Sequence, residues 1–187
     1  MNIKLVVTTI ITLLLATQAW STEKPGHATY SKEEILQEVE GFFGEGAEGL
    51  ADIVEKAFKE QGRPNAYIAG DEAAAALGIG VRYGKGTLRT ASGANQKVYW
   101  QGPSIGFDAG INASKVFMMI YKLPGTSAIF QRYPGVEGSL YFIGGVGINY
   151  LQVDDTVVAP IRFGAGWRQG VSAGYLDFTR EASINPF

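Results

Sequence analysis

Residue types that most often catalyse reactions or bind metals are scarce in this chain. It has no cysteine and one histidine, His27, among 187 residues. Disulfides, thiolate metal sites and cysteine nucleophiles are therefore excluded, and most zinc sites and a Ser-His-Asp triad lack the histidines they need. We expect no metal ion and no cofactor, and we predict that the chain is not an enzyme.

Four carboxylates of the predicted β region stand in two adjacent pairs, Asp71-Glu72 and Asp154-Asp155. Neighbouring residues of a strand point to opposite faces, so neither pair is placed to act alone as general acid and base. We predict that both pairs lie in turns. An envelope hydrolase whose carboxylates are brought together by the fold remains an alternative, with Asp108 and Glu137 as the residues to replace in its test.

Three arginines and two tryptophans are the candidates for contact with a ligand. Guanidinium groups are suited to holding a phosphate, and large aromatic side chains can line a pocket or meet a membrane interface. The ordinary alternatives are arginines on the outward face of a barrel and tryptophans in its core. Asp108 shares a predicted strand face with Arg82 and Arg168, which favours an ion pair on that face. The candidates are Arg82, Trp100, Arg162, Trp167 and Arg168.

Residues 78–87 resemble a phosphate-binding loop only in composition. Five residues, where a P-loop has four, separate Gly78 from the Gly84-Lys85 pair, and Gly86 stands where serine or threonine is needed. The flanking residues alternate as strands do. We interpret this segment as part of a glycine-rich β-hairpin.

Apolar residues alternate with glycine or polar residues through most of the chain after Pro64. Because glycine weakens a strand, a whole face of glycine indicates sharply coiled strands in a small barrel or close approach of another backbone. The predicted fold class is mainly β, a small antiparallel β-barrel, with a β-sandwich as the alternative. Strands are expected at 77–83, 103–111, 115–123, 139–153 and 163–175, with turns at 92–95 and 153–155.

A short helical arm is predicted before the barrel. Ser31 and Glu34 have the spacing of a capping box, and Ile35 and Val39 begin an apolar stripe at helical spacing. A second helix is expected from about residue 47 to the stop at 62–64. We expect the arm either to plug one end of the barrel or to lie across its outside.

Charge divides between the same two parts of the chain. Residues 23–61 carry ten acidic and four basic side chains, a net of −6, and residues 62–187 carry eight acidic and eleven basic ones, a net of +3. With Lys4 the sum is −2, which argues against a general nucleic-acid binder. We interpret the opposite signs as support for docking of the arm on the barrel.

The first residues are interpreted as a secretory signal peptide. A lysine near the start is followed by an apolar stretch at 5–16 and by small residues suited to cleavage after Ala19 or Ser21. No later segment reads as a membrane-spanning helix. The expected organisation is therefore a signal peptide at 1–21, a helical arm at 22–62 and a glycine-rich β-barrel domain at 63–187, with the mature chain in the periplasm.

Six segments together resemble the periplasmic envelope integrity protein A family of Gram-negative bacteria, a domain of unknown function. The resemblance extends over about residues 30–179. Its segments are Gly41-Phe-Phe-Gly44, Gln61-Gly-Arg-Pro-Asn-Ala-Tyr-Ile68, Arg82-Tyr-Gly-Lys-Gly-Thr-Leu88, Val98-Tyr-Trp-Gln-Gly-Pro-Ser-Ile-Gly-Phe-Asp108, Phe130-Gln-Arg-Tyr-Pro-Gly-Val-Glu-Gly138 and Val158-Ala-Pro-Ile-Arg162.

This resemblance implies a secreted small β-barrel that supports the cell envelope and cell division, with no known catalytic activity. Residues 78–88 and 102–110 are more loosely similar to SYLF domains, which bind phospholipids. We therefore predict a non-enzymatic protein that binds an envelope lipid, a cell-wall polymer or a periplasmic partner protein, with no nucleic acid as partner. A SYLF-like phospholipid-binding module and an envelope hydrolase are the alternatives.

Overall fold

The computed structural model describes residues 28–44, 49–163 and 174–182. In this described part of the chain, two α-helices, α1 (Lys32–Phe43) and α2 (Leu50–Gln61), precede eight strands and a short 3-10 helix at Thr126–Ile129. Within these ranges, neither helix has the length and apolar character needed to cross a membrane. The strands are β1 (Ala66–Thr90), β2 (Asn95–Tyr121), β3 (Arg132–Pro134), β4 (Tyr141–Ile143), β5 (Val146–Ile148), β6 (Leu151–Val153), β7 (Thr156–Phe163) and β8 (Tyr175–Thr179).

One long antiparallel hairpin, β1–β2, forms the body of the sheet. Its pairing runs from Ala66 opposite Ile120 to Arg89 opposite Asn95, with an irregularity between Ala76 and Gly78. The predicted strands at 77–83 and 103–111 are therefore parts of this single hairpin. The predicted turn at 92–95 is confirmed in position, since the chain reverses between β1 and β2 there.

The antiparallel sheet curls because β2 has different neighbours along its length. Residues 99–101 of β2 pair with β8, whereas residues 116–121 pair with β7. β3 pairs with β8, and β5 and β6 pair with β7. A single bridge from Gly135 to Leu151 connects the end of β3 to β6, so the curled sheet approaches itself there. The predicted small antiparallel β-barrel is thus confirmed.

Three glycines on the inward face of the hairpin allow this curvature. A Cβ on Gly70 would lie 2.7 Å from the Cα of Gly86 and against the carbonyl oxygen of Lys85. A Cβ on Gly102 would meet the carbonyl oxygen of Tyr175. The prediction that the glycine face reflects close approach of another backbone is correct at these positions.

The two helices lie across the outer face of the sheet, one of the two arrangements expected for the arm. Ser31 caps α1 with the predicted box, because its Oγ accepts from the Glu34 amide at 3.2 Å and Glu34 Oε2 accepts from the Ser31 amide at 2.6 Å. The helices bury Ile35, Val39, Leu50, Ile53, Val54 and Ala57 against the sheet residues Tyr67, Phe117, Met119 and Tyr121.

The opposite face of the sheet encloses a second apolar cluster inside the curl. Consecutive residues of β2 alternate between the two clusters, with Phe117 and Met119 facing the helices and Met118 and Ile120 facing inward. Both faces of the sheet are therefore buried in this region. The inward cluster also contains Ile68, Leu88, Val98, Trp100, Val116, Tyr133, Val158 and Phe178.

Two predictions about local structure are wrong. Residues 139–153, expected as one strand, form β4, β5 and β6, because Gly144 and Gly145 adopt positive φ angles and reverse the chain. The Asp71-Glu72 pair, expected in a turn, lies within β1. The predicted turn at 153–155 is confirmed, and most of the predicted strand at 163–175 lies outside the described residues.

Candidate functional site

A buried ionic cluster lies inside the curled sheet around the carboxylate of Glu72. Glu72 is on the inward face of β1 and is only 4% exposed. Arg162 of β7 donates to it twice, from Nε to Oε1 at 3.1 Å and from Nη2 to Oε2 at 2.9 Å. Arg82 approaches the same carboxylate, with Nη1 3.6 Å from Oε1. A two-point guanidinium contact fixes both the position and the orientation of the carboxylate.

Trp100 completes the contacts of Glu72. Its indole Nε1 donates to Glu72 Oε2 at 2.9 Å, and its ring is 1% exposed. Gly84, opposite Trp100 in the β1–β2 register, leaves space for the ring, because a Cβ at this position would lie inside the indole. The glycine at position 84 is thus required by the packing of the tryptophan.

The arginines determine the ionisation state of this carboxyl group. Burial alone would raise the pKa of Glu72, but the charges of Arg162 and Arg82 and the hydrogen bonds from Arg162 and Trp100 outweigh it, so the pKa lies below its ordinary value. Burial also lowers the pKa of Arg82 to about 10, against the opposing effect of Glu72. At neutral pH the cluster therefore contains ionised groups.

The structure brings together three of the five predicted contact residues, Arg82, Trp100 and Arg162, in this cluster. Arg82 is 8% exposed and Arg162 is 1% exposed, so neither lies on an outward barrel face. Arg82 also donates from Nε to the carbonyl oxygen of Pro103 at 2.9 Å. Trp167 and Arg168 lie outside the described residues.

Sequence reasoning missed Glu72, although a signal for it was present. Glu72 lies two positions after Gly70 and four positions after Ile68, and this even spacing places all three on the same face of the strand. Asp71, on the opposite face, is exposed. The two carboxylates thus diverge and do not form an acid–base pair, as the sequence indicated.

A mainly apolar groove lies directly beside the cluster. Its volume is about 290 Å³. Glu72 and Gly84 line the groove and also contact the ionic cluster. Because Arg82, Arg162 and Trp100 contact Glu72 from the interior of the sheet, they hold this part of the groove wall in place. The groove is lined by Asp71, Glu72, Ala73, Tyr83, Gly84, Lys85, Tyr99, Ala113 and Ala182.

The chemistry of the cluster is that of a fixed charge network. An ionised carboxylate has no proton to donate, and its bonds to a guanidinium group and its lowered pKa make it a weak base. Across the described ranges, no group of three or more acidic, histidine or cysteine side chains is arranged to hold a metal ion. The arrangement can hold the wall of the neighbouring groove in a fixed position.

These features define a β-barrel-like protein with an outer helical layer and an apolar groove beside a buried ionic cluster. The chain belongs to the envelope integrity protein A family, whose model matches residues 28–187. The description of this family indicates a role related to the cell envelope and names no enzymatic activity. No curated protein matches the chain.

A solved structure supports the same assignment. The chain is similar to a β-barrel-like, uncharacterised protein from Brucella abortus, with 44% sequence identity and a TM-score of 0.78. The similarity covers 86% of this chain and 99% of the other.

Proposed function

We propose that this protein supports envelope integrity and cell division from the periplasm, without catalysis, by binding a glycerophospholipid of the envelope. The observation that carries the proposal is the apolar groove between Tyr83 and Tyr99. Its volume of about 290 Å³ is close to the lower end of the range for small-molecule sites, about 300 Å³. An acyl chain is the envelope component that best matches such a lining.

Small side chains make room for the acyl chain in this groove. Ala73 and Ala113 are opposite each other in the β1–β2 register, and both are exposed. Each methylene group transferred from water to such a surface contributes about 0.8 kcal/mol. Several methylene groups therefore suffice for measurable affinity.

Charged residues at the rim suit a phospholipid headgroup. Lys85 and Asp71 line the groove, and both are exposed. A phosphate oxygen can accept from the Lys85 ammonium group, and a headgroup ammonium can meet the Asp71 carboxylate. Of the residues singled out from sequence, Arg82, Trp100 and Arg162 act in this proposal as positioning residues behind the groove. The proposal assigns no role to Trp167 or Arg168.

The test is native mass spectrometry of the mature protein purified gently from its own periplasm. We expect a discrete phospholipid adduct, and the intact mass also distinguishes cleavage after Ala19 from cleavage after Ser21. An Ala113→Phe variant places a ring in the groove and should lose the adduct. The same variant should bind vesicles of phosphatidylethanolamine and phosphatidylglycerol more weakly than wild type.

A matched control separates filling of the groove from general effects of an added ring. Ala51 is exposed on α2 and does not line the groove, so Ala51→Phe should retain the adduct. Wild-type protein with a bare mass and no vesicle binding would overturn lipid binding. A cell-wall fragment as the adduct, or a periplasmic protein captured by crosslinking with the groove empty, would replace the lipid with one of the other two predicted ligands.

A further inference from the structure

A second and larger cavity lies where β2 ends and β6 turns into β7. Its volume is about 570 Å³, well within the range of about 300–1,000 Å³ for small-molecule sites. Six residues of β1 separate Asn65, which lines this cavity, from Glu72, which lines the groove. The lining residues are Thr29, Arg63, Asn65, Lys122, Pro124, Ala128, Gln131, Val153, Asp154, Asp155 and Thr156.

Two cations and two carboxylates lie around this cavity. Arg63, Lys122, Asp154 and Asp155 are all exposed. Among the ion pairs found in the described ranges, none joins one of these cations to one of these carboxylates. In the part of the chain that the structure describes, the hydrogen bonds of Arg63 go to the backbone carbonyl oxygens of Tyr30 and Thr29, at 3.2 and 3.4 Å. Both signs of charge are therefore available to a bound molecule.

The backbone around the cavity is held by side-chain hydrogen bonds. Asn65 makes two bonds to the backbone of Leu123, donating to its carbonyl oxygen at 2.8 Å and accepting from its amide at 3.0 Å. Thr156 donates to the carbonyl oxygen of Lys122 at 3.3 Å. Gln152 donates to that of Asp154 at 2.8 Å. A site fixed in this way loses little entropy when a ligand binds.

Two residues beside this cavity have an unusual backbone conformation. Lys122 and Asp154, with φ angles of 53° and 50°, are the non-glycine residues with positive φ in the described part of the chain. Aspartate adopts this conformation readily in turns, whereas lysine does so less often. Both residues lie beside the cavity, and residues held in sparsely populated conformations cluster at ligand sites.

We propose that this cavity binds a short peptide that carries a free ammonium group and free carboxylates. Lys122 would receive the carboxyl-terminal carboxylate and Arg63 a side-chain carboxylate, because charge-assisted hydrogen bonds to ammonium and guanidinium groups are the strongest available to them. Asp154 and Asp155 would receive the ammonium group. Pro124, Ala128 and Val153 provide apolar surface between the charges for the methyl or methylene groups of the peptide.

The test is isothermal titration calorimetry with the tripeptide alanyl-glutamyl-lysine. We expect saturable binding that weakens about tenfold or more when the amino terminus is acetylated or the carboxyl terminus is amidated, since each change removes a charge-assisted contact. A second probe with a γ-linked D-glutamate distinguishes the sources of this chemistry. Tighter binding of that probe identifies a cell-wall stem peptide, and tighter binding of the all-L peptide identifies a fragment of a protein.

Variants connect the binding to the cavity. Lys122→Ala should weaken binding of the free tripeptide but change little for the amidated peptide, which lacks the carboxylate at issue. Asp155→Ala should likewise weaken binding of the free tripeptide but change little for the acetylated peptide, which lacks the amino-terminal ammonium group. Lys97→Ala is the control, because Lys97 is exposed on β2 and lies outside the cavity lining.

Two results would overturn this proposal. The first is the absence of heat with either peptide, and the second is equal weakening by Lys122→Ala and Lys97→Ala. The phospholipid adduct is also measured by native mass spectrometry on the same Lys122→Ala protein, and it should be unchanged. Loss of peptide binding with a retained adduct, or the reverse, therefore separates failure of one proposal from failure of the other.

Discussion

Glu72 is the residue on which the polar contacts inside the sheet depend. Replacement by glutamine removes the charge that Arg162 and Arg82 face, and leaves buried cations without their carboxylate. Breaking a buried ion pair by removing one partner costs about 3–5 kcal/mol. We expect Glu72→Gln to lower the free energy of unfolding by this amount in urea titrations.

The neighbouring residue provides the control for this variant. Asp71→Asn changes an exposed carboxylate on the other face of β1 and should alter stability by less than about 0.5 kcal/mol. The dependence of the free energy of unfolding on pH in acid gives a second measurement. Because the pKa of Glu72 lies below its ordinary value, its contribution is present above about pH 4.3 and is lost as pH falls through the folded-state pKa. Equal losses in both variants would contradict the assignment.

At the scale of elements, β1 turns back on itself at Gly70 and Gly86. A methyl group on Gly70 would meet backbone atoms of Lys85 and Gly86, which cannot move without separating the two ends of β1. We expect Gly70→Ala to destabilise the fold by about 1–3 kcal/mol, the usual cost of overpacking. Differential scanning calorimetry should show a lower Tm for this variant.

A second glycine tests whether the close approach is the cause. Gly125 has an extended backbone, with φ 178°, and a Cβ there would contact nothing within 4 Å. Gly125→Ala should therefore be neutral or stabilise by up to about 1 kcal/mol through the unfolded state. A Tm for Gly70→Ala equal to that of Gly125→Ala would show that the strands adjust without cost.

The elements also show which parts of this fold were predictable from sequence. The capping box at Ser31 and Glu34 and the close backbone approach expected at glycines are local signals, and the structure confirms the box and the close approach at Gly70 and Gly102. The inward face was not predictable, because residues 116–121 are buried on both sides of the sheet and their apolar character marks neither side. The position of Glu72 in the strand gave its face but not its main partner, because Arg162 is 90 positions away in sequence.

At the scale of the whole molecule, the helices and the sheet share one core. Ile35, Val39 and Ile53 are fully buried, and their partners include Phe117 and Met119 on the sheet. Polar contacts cross the same boundary, with Tyr150 donating to Glu60 at 2.7 Å and Arg89 3.7 Å from Glu38. Removal of the helices would expose a continuous apolar face.

This shared core leads to a prediction about the helical arm. A chain lacking residues 22–61 should lose cooperative unfolding and elute as aggregates in size-exclusion chromatography, because exposed apolar patches of this kind promote association. The full-length Glu55→Ala/Lys59→Ala variant removes an exposed ion pair from α2 and should unfold as wild type does. A truncated chain that remains monomeric and melts in one sharp transition would instead make the arm a docking segment on an independent barrel. Pull-down of periplasmic proteins with that chain would then identify what the arm contacts.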